Sequence, residues 1–161
     1  MILIAYATKH GSTREVAEAV AGTLREEGLE VEVKPAAEAR ALDVYDGVVL
    51  GGALYMGRLH KDAKRFLSRH RGALAALPVA VFAMGPRTLE EQEVAESRAQ
   101  LDRALADVPE LEPVAVTIFG GVLDSAAQHF PFNRMPAADA RDWDAIRLWA
   151  RELARSLAVP A

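Results

Sequence analysis

Uninterrupted apolar runs recur along the chain, and residues with helical periodicity follow each of them. Ile2-Leu3-Ile4-Ala5, Val48-Val49-Leu50, Val79-Ala80-Val81-Phe82 and Val114-Ala115-Val116 contain no polar side chain. A strand with one face in water alternates. A strand that is apolar throughout is covered on both faces, as a parallel strand is between two helical layers. Val31 and Val33 instead alternate with Glu30, Glu32 and Lys34, which suits a sheet edge. The spacing predicts strands over about residues 1–7, 29–34, 47–52, 79–84 and 114–119. Helices are predicted over about 12–27, 60–76 and 88–106, with a last helix starting near 142. Gly28 stops the first helix, and Thr88 with Glu91 reads as a capping box for the third. Alternating strands and helices imply an α/β fold. The natural arrangement is a three-layer, doubly wound sandwich around a five-stranded parallel sheet in the order 2-1-3-4-5. The 161 residues fit one domain spanning 1–161.

Composition removes several function classes. The net charge of −4 offers no basic face for nucleic acid. The absence of cysteine removes disulfides, iron–sulfur clusters and thiol nucleophiles. No histidine pair has metal-ligand spacing with a supporting carboxylate, so no metal is expected. The amino terminus lacks the pattern of a secretory signal, and no apolar run nears the roughly 20 residues of a membrane span. A cytoplasmic location is expected, with peripheral membrane contact and homo-oligomer formation left open.

In a doubly wound sheet, ligands collect at the carboxyl ends of the strands. The loop after strand 1 is Thr8-Lys9-His10-Gly11-Ser12-Thr13, and a helix follows at once, with Val16, Ala17, Val20, Ala21 and Leu24 on its apolar face. The first amides of a helix have no internal acceptor, and the helix dipole favours an anion there, so these hydroxyls and this glycine suit a phosphate. The same residues also fit a ligand-free use, since Ser12-x-x-Glu15 is a capping box. The loops after strands 3 and 4 are Gly52-Ala53-Leu54-Tyr55-Met56-Gly57-Arg58 and Met84-Gly85-Pro86-Arg87. Glycines beside apolar and aromatic residues suit a flat ring whose heteroatoms meet backbone amides. A ligand with a phosphate at one end and a planar ring system at the other satisfies all three loops.

Other nucleotide sites on this architecture are excluded. A receiver domain needs acidic residues where Ala7-Thr8 and Gly51-Gly52 stand. Neither a Gly-x-x-x-x-Gly-Lys-Ser/Thr loop nor a Gly-x-Gly-x-x-Gly fingerprint follows the first strand.

Thr8 to Thr13 resembles the Thr-x-x-Gly-x-Thr phosphate loop of the flavodoxin-like FMN proteins. The run from Tyr45 to Lys61, with Gly51-Gly52-Ala53-Leu54-Tyr55-Met56-Gly57-Arg58 at its centre, resembles the second flavin loop of one subgroup. That subgroup includes menaquinone-dependent protoporphyrinogen dehydrogenase, and Asp142-Trp143 resembles it too. The resemblance implies a flavodoxin-like fold and bound FMN. Thr8, His10, Gly11, Ser12 and Thr13 would hold the phosphate. Lys9 lies in the same loop but departs from the family, which usually binds the phosphate without a cation. Ala53, Leu54, Tyr55, Met56 and Gly57 would flank the isoalloxazine, and Met84, Gly85 and Pro86 would close its other edge.

Several residues have two readings each. His60 is a candidate for proton transfer or simply the start of the second helix, and no catalytic residue is assigned. His129 could line a pocket or pack in its loop. Arg87 could meet an acidic substrate or a carboxylate of the third helix. The long loop over residues 120–141, with Phe130, Pro131, Phe132 and Met135, could wall the flavin or pack on the last helix. The expected function is an FMN oxidoreductase acting on a quinone or porphyrinogen, with NAD(P)H a possible reductant. The alternative is a flavodoxin-type carrier between redox proteins. Carriers are usually more acidic around the flavin, whereas Arg58, His60, Lys61 and Lys64 follow the second loop here.

Overall fold

The structure is a computed structural model that describes residues 1–9, 11–86, 88–123 and 138–157. Along the chain run β1 (Ile2–Ala7), α1 (Ser12–Glu26), β2 (Val31–Pro35), β3 (Gly47–Tyr55), β4 (Arg58–Leu59), α2 (Lys61–Arg69) and α3 (Arg71–Ala75). Then come β5 (Val79–Met84), α4 (Glu91–Leu105), β6 (Ala115–Phe119), β7 (Val122–Leu123), β8 (Ala138–Asp139) and α5 (Trp143–Leu157). The parallel sheet has the order β2-β1-β3-β5-β6, with β4 folded back on β3. Apart from that return strand, this is the expected order.

Alternate residues of each central strand enter opposite cores, as strand geometry requires. Ile2 and Ile4 join Val20 and Leu24 of α1 and Ile146 and Leu153 of α5 on one face. Leu3 and Ala5 join Leu67 of α2, Leu74 of α3 and Leu101 of α4 on the other. The helix α1 ends as expected in a left-handed Gly28, φ 92°. Its amide donates to Arg25 O (3.0 Å) and that of Leu29 to Leu24 O (3.1 Å), the paired bonds of a Schellman motif.

The structure corrects the sequence reading in four places. Strand 3 does not stop at Gly52. It runs to Tyr55 and returns through β4, because Gly51 and Gly52 pair in register with Phe82 and Ala83. The helix expected over 60–76 is broken at His70, φ −107° and ψ 17°, into α2 and α3. The third helix begins at Glu91 after an extended Glu90, so Thr88 stands too far upstream to cap it. The amide of Thr88 donates to the Glu93 carboxylate instead (3.1 Å), not to Glu91. Strand β6 is apolar but only half-buried over most of its length, because it is the far edge of the sheet and has only β5 beside it.

The strand glycines are steric requirements. A Cβ on Gly51 would lie 2.1 Å from the Phe82 ring. That ring packs at centroid distances of 5.6 Å on Phe119 and 6.0 Å on Trp149, so it cannot retreat without disturbing the aromatic cluster. Gly22 of α1, by contrast, faces open space. Gly51→Ala is therefore expected to lower stability in urea unfolding by about 1–3 kcal/mol, as overpacking does. Gly22→Ala should raise it by about 0.5–1 kcal/mol.

Candidate functional site

Strand β1 delivers its carboxyl end, Ala7, to a tight loop, and α1 starts five residues later at Ser12. The N-cap is Gly11, in the left-handed region at φ 89° and ψ −8°, and no side chain caps the helix. The Gly11 amide donates to Thr8 Oγ1 (2.9 Å), which folds the loop on itself. With the N-cap at Gly11, Glu15 is one residue too late for a capping box. Its amide donates to Gly11 O (3.2 Å) and its carboxylate pairs with Arg141. The ligand-free use of this loop is thus not realised in the fold. The first-turn amides of α1 have no acceptor within the helix. Thr13, in that same turn, is fully buried, and its hydroxyl has no hydrogen-bond partner among the described residues. Leaving a hydroxyl in that state costs about 1–3 kcal/mol, and it persists where function requires it.

The second loop is a β-hairpin. Tyr55 pairs with Arg58 across Met56 and Gly57, at φ 53° and φ 76°. Two positive φ values make a type I′ turn, the form whose twist matches that of paired strands. Asparagine or glycine usually holds its first position, so Met56 is strained there. The turn puts Met56, 67% exposed, and Tyr55, 39% exposed, at the surface. Lys9 Nζ lies 3.8 Å from the Tyr55 ring centroid and joins the first loop to the second. A cation on a ring face is worth about 0.5–1 kcal/mol when exposed.

Backbone contacts tie the third loop to the rest. A Cβ on Gly85 would meet Ser97 Oγ at 2.7 Å and Leu54 Cδ1 at 2.9 Å, so only glycine fits between α4 and the hairpin. Gly85 donates to Phe119 O (3.2 Å), Gly121 to Pro86 O (2.7 Å) and Ala140 to Gly121 O (3.0 Å). Beside the hairpin, Met56, Gly57, Gly85, Pro86, Glu93 and Glu96 are among the residues lining a cavity of about 230 Å³. A larger cavity of about 640 Å³, beside Thr88, Leu89, Arg141 and Trp143, shares no residue with the ring loops.

His60 is the N-cap of α2, its Nδ1 accepting from the Asp62 amide (3.0 Å). That nitrogen is therefore engaged in capping the helix. His10, Arg87 and residues 124–137, including His129, Phe130, Pro131, Phe132 and Met135, lie outside the described residues. Of the residues singled out in the sequence, the structure brings Lys9 to Tyr55, and Leu54 to Gly85. It adds residues that loop composition did not reveal: the Gly120-Gly121 pair, Ser97 of α4 and Arg141. The glycine doublet directly after β6 was the available signal. A Cβ on Gly120 would lie 2.0 Å from Ala140 O.

Among the described residues no histidine, cysteine or carboxylate cluster could hold a metal. No helix of the described chain is long and apolar enough to cross a membrane.

A family model, the Flavodoxin domain, matches residues 3–131. The chain belongs to the flavodoxin family. The fold agrees with solved flavodoxins over nearly its whole length. Oxidised Flavodoxin 2 from Bacillus cereus superposes with a TM-score of 0.63 at 23% identity, covering 98% of this chain and 97% of that one. A cysteine-to-serine mutant of flavodoxin from Pseudomonas aeruginosa gives a TM-score of 0.63 at 19% identity, covering 97% of each chain. Among curated proteins, protoporphyrinogen IX dehydrogenase [quinone] of Escherichia coli (strain K12) is 31% identical over 84 residues. That match covers 51% of this chain and 46% of the relative, so the chain spans about half the length of the curated relatives it matches. The family's cofactor is FMN. The buried orphan hydroxyl of Thr13 and the uncapped start of α1 fit its phosphate.

The strain at Met56 belongs to the hairpin turn, and asparagine tolerates the same backbone. Met56→Asn is expected to raise the stability of the flavin-free protein by about 0.5–1 kcal/mol in urea unfolding.

Proposed function

We propose that the chain is an FMN-dependent oxidoreductase whose substrate is a small molecule of the porphyrinogen or quinone type. The observation that carries the cofactor half of this reading is the buried, unpartnered Thr13 hydroxyl beside unpaired helix amides. Thr8, His10, Gly11, Ser12 and Thr13 hold the phosphate in this reading, and Lys9 of the same loop meets the cofactor site through Tyr55. Gly11 leaves room for close approach, and Thr13 and the first-turn amides donate. Ala53, Leu54, Tyr55, Met56 and Gly57 flank the ring on one side, and Met84, Gly85 and Pro86 close its edge.

FMN, when bound, supplies the redox chemistry; the protein supplies binding, orientation and the local field. Tyr55, held by Lys9, offers a ring face for stacking. The glycine backbones let amides reach ring heteroatoms. Arg58, Lys61 and Lys64 are exposed just beyond the hairpin. They give the approach a positive field that suits the carboxylates of a porphyrinogen or the phosphates of NAD(P)H. The curated relative's activity on protoporphyrinogen with a quinone supports the small-molecule reading. His60 has a structural occupation as a cap, so no proton-transfer role is assigned to it.

The likeness to flavodoxins favours a second reading, a carrier passing electrons between redox proteins. Turnover separates the two. The FMN-loaded protein, given a porphyrinogen or NAD(P)H as donor and a menaquinone analogue as acceptor, is expected to turn over catalytically. Electron exchange only with protein partners, and none with any of these small molecules, establishes the carrier.

The cofactor reading also predicts opposite signs for two measurements on one variant. Thr13→Val removes an unsatisfied buried hydroxyl at nearly constant volume. The flavin-free protein should gain about 1 kcal/mol of stability. FMN affinity, read by quenching of flavin fluorescence, should fall about ten- to a hundredfold, because a hydrogen bond to a charged group is lost. Unchanged FMN affinity would remove Thr13 from the site.

A further inference from the structure

We propose that Arg141 acts as a positioning residue for the phosphate site by holding Glu15 away from the start of α1. The proposal rests on the phosphate reading given above. Glu15 lies in the first turn of α1, three residues after Ser12. A carboxylate in the first turn of a helix lies close to that turn's unpaired amides. It is also drawn there by the positive end of the helix dipole. A carboxylate so placed would take the donors that a phosphate needs and repel the phosphate by its charge.

The structure directs Glu15 elsewhere. Arg141 Nη1 donates to Glu15 Oε2 at 2.9 Å. The arginine cannot easily follow the glutamate, because its other contacts fix it. Its Nε and Nη2 grip Asp139 at 3.0 and 2.8 Å, and its backbone amide donates to the same carboxylate at 3.1 Å. Its guanidinium carbon lies 4.8 Å from the Trp143 ring centroid. The side chain is only 11% exposed, whereas that of Glu15 is 63% exposed. A forked guanidinium can bind one carboxylate with two donors and keep a third for another, which a point-charge ammonium cannot do as well. Among the described residues no other cation pairs with Glu15. Ala140, next to this arginine, is hydrogen-bonded to Gly121, which is bonded to Pro86. The same short segment therefore joins the first turn of α1 to the third loop.

The test compares the affinities of FMN and riboflavin, which lacks the phosphate, at low ionic strength. Wild type should prefer FMN. Arg141→Met should weaken FMN about three- to tenfold and leave riboflavin within about twofold. Adding Glu15→Ala to Arg141→Met should restore FMN affinity to within about twofold of wild type, because the competing carboxylate is gone. A merely structural arginine would give no such rescue. A double variant as weak as Arg141→Met, or equal losses of riboflavin and FMN, overturns the proposal while leaving the phosphate reading intact. Should Arg141→Met not fold, Arg141→Lys keeps a cation but loses the fork that holds Asp139 and Glu15 together, and should weaken FMN by about two- to threefold, with Glu15→Ala again restoring it. A tenfold loss there, with the fold intact by circular dichroism, overturns the proposal equally. A wild-type chain with no preference for FMN over riboflavin overturns the phosphate reading itself.

Discussion

The first turn of α1 carries donors that nothing within the helix satisfies, and much of the surrounding structure keeps them so. Gly11 takes the N-cap position in a backbone conformation that other residues resist, and it brings no side chain to the task. Thr8 uses its hydroxyl on the Gly11 amide to shape the loop. Thr13 is buried, and its hydroxyl is unpaired among the described residues. Glu15, the acidic residue of the first turn, is engaged by Arg141. Each departure from ordinary helix capping costs stability in the isolated chain. Together they leave a set of convergent donors at the positive end of a dipole, which is what an anion selects.

The ring side of the site follows from close packing. Gly51 and Gly52 let Phe82 and Leu59 lie against β3, and Gly85 lets the third loop slide between Ser97 and Leu54. These contacts set the height at which the Met56-Gly57 turn projects above the sheet. The strain at Met56 is held there by the short antiparallel pairing of Tyr55 with Arg58 and Leu54 with Leu59. The two sides are joined by a cation over an aromatic face, Lys9 on Tyr55, and by the Asp139–Arg141–Glu15 chain. The Arg141 guanidinium holds the Asp139 carboxyl below its ordinary range through their hydrogen bonds. This linkage is therefore charged at neutral pH.

The field around the site is divided. Glu93 and Glu96 of α4 line the cavity on one side of the hairpin. Arg58 of β4 and Lys61 and Lys64 of α2 are exposed. Membership of the flavodoxin family is compatible with either a carrier or an enzyme, since fold and cofactor are common to both. The charges and the cavity beside the ring loops lie outside the phosphate loop. They bear on what approaches the flavin rather than on how it is bound.

The parallel order of the sheet, its double-layer cover and the three loops at its carboxyl edge were legible in the sequence. Each follows from a local pattern: apolar runs without alternation, helical periodicity, and glycine or hydroxyl residues at strand ends. The Schellman ending at Gly28 was legible for the same reason, because a left-handed C-terminal position asks for glycine whatever surrounds it. Other features depend on which residues meet across the fold. Whether Ser12 and Glu15 cap α1 was undecidable locally, since the competing partner, Arg141, is 126 residues away along the chain. Gly51 and Gly52 read as the end of a strand until Phe82 and Leu59 were placed against them. The break at His70, the shift of Thr88 from Glu91 to Glu93, and the half-burial of β6 were settled by packing and sheet position. The sequence by itself determined the layers and which loops lie at the carboxyl edge of the sheet, because periodicity and chain-end chemistry are local. Only the tertiary structure decided which donors stay unpaired, because that depends on partners distant in the chain.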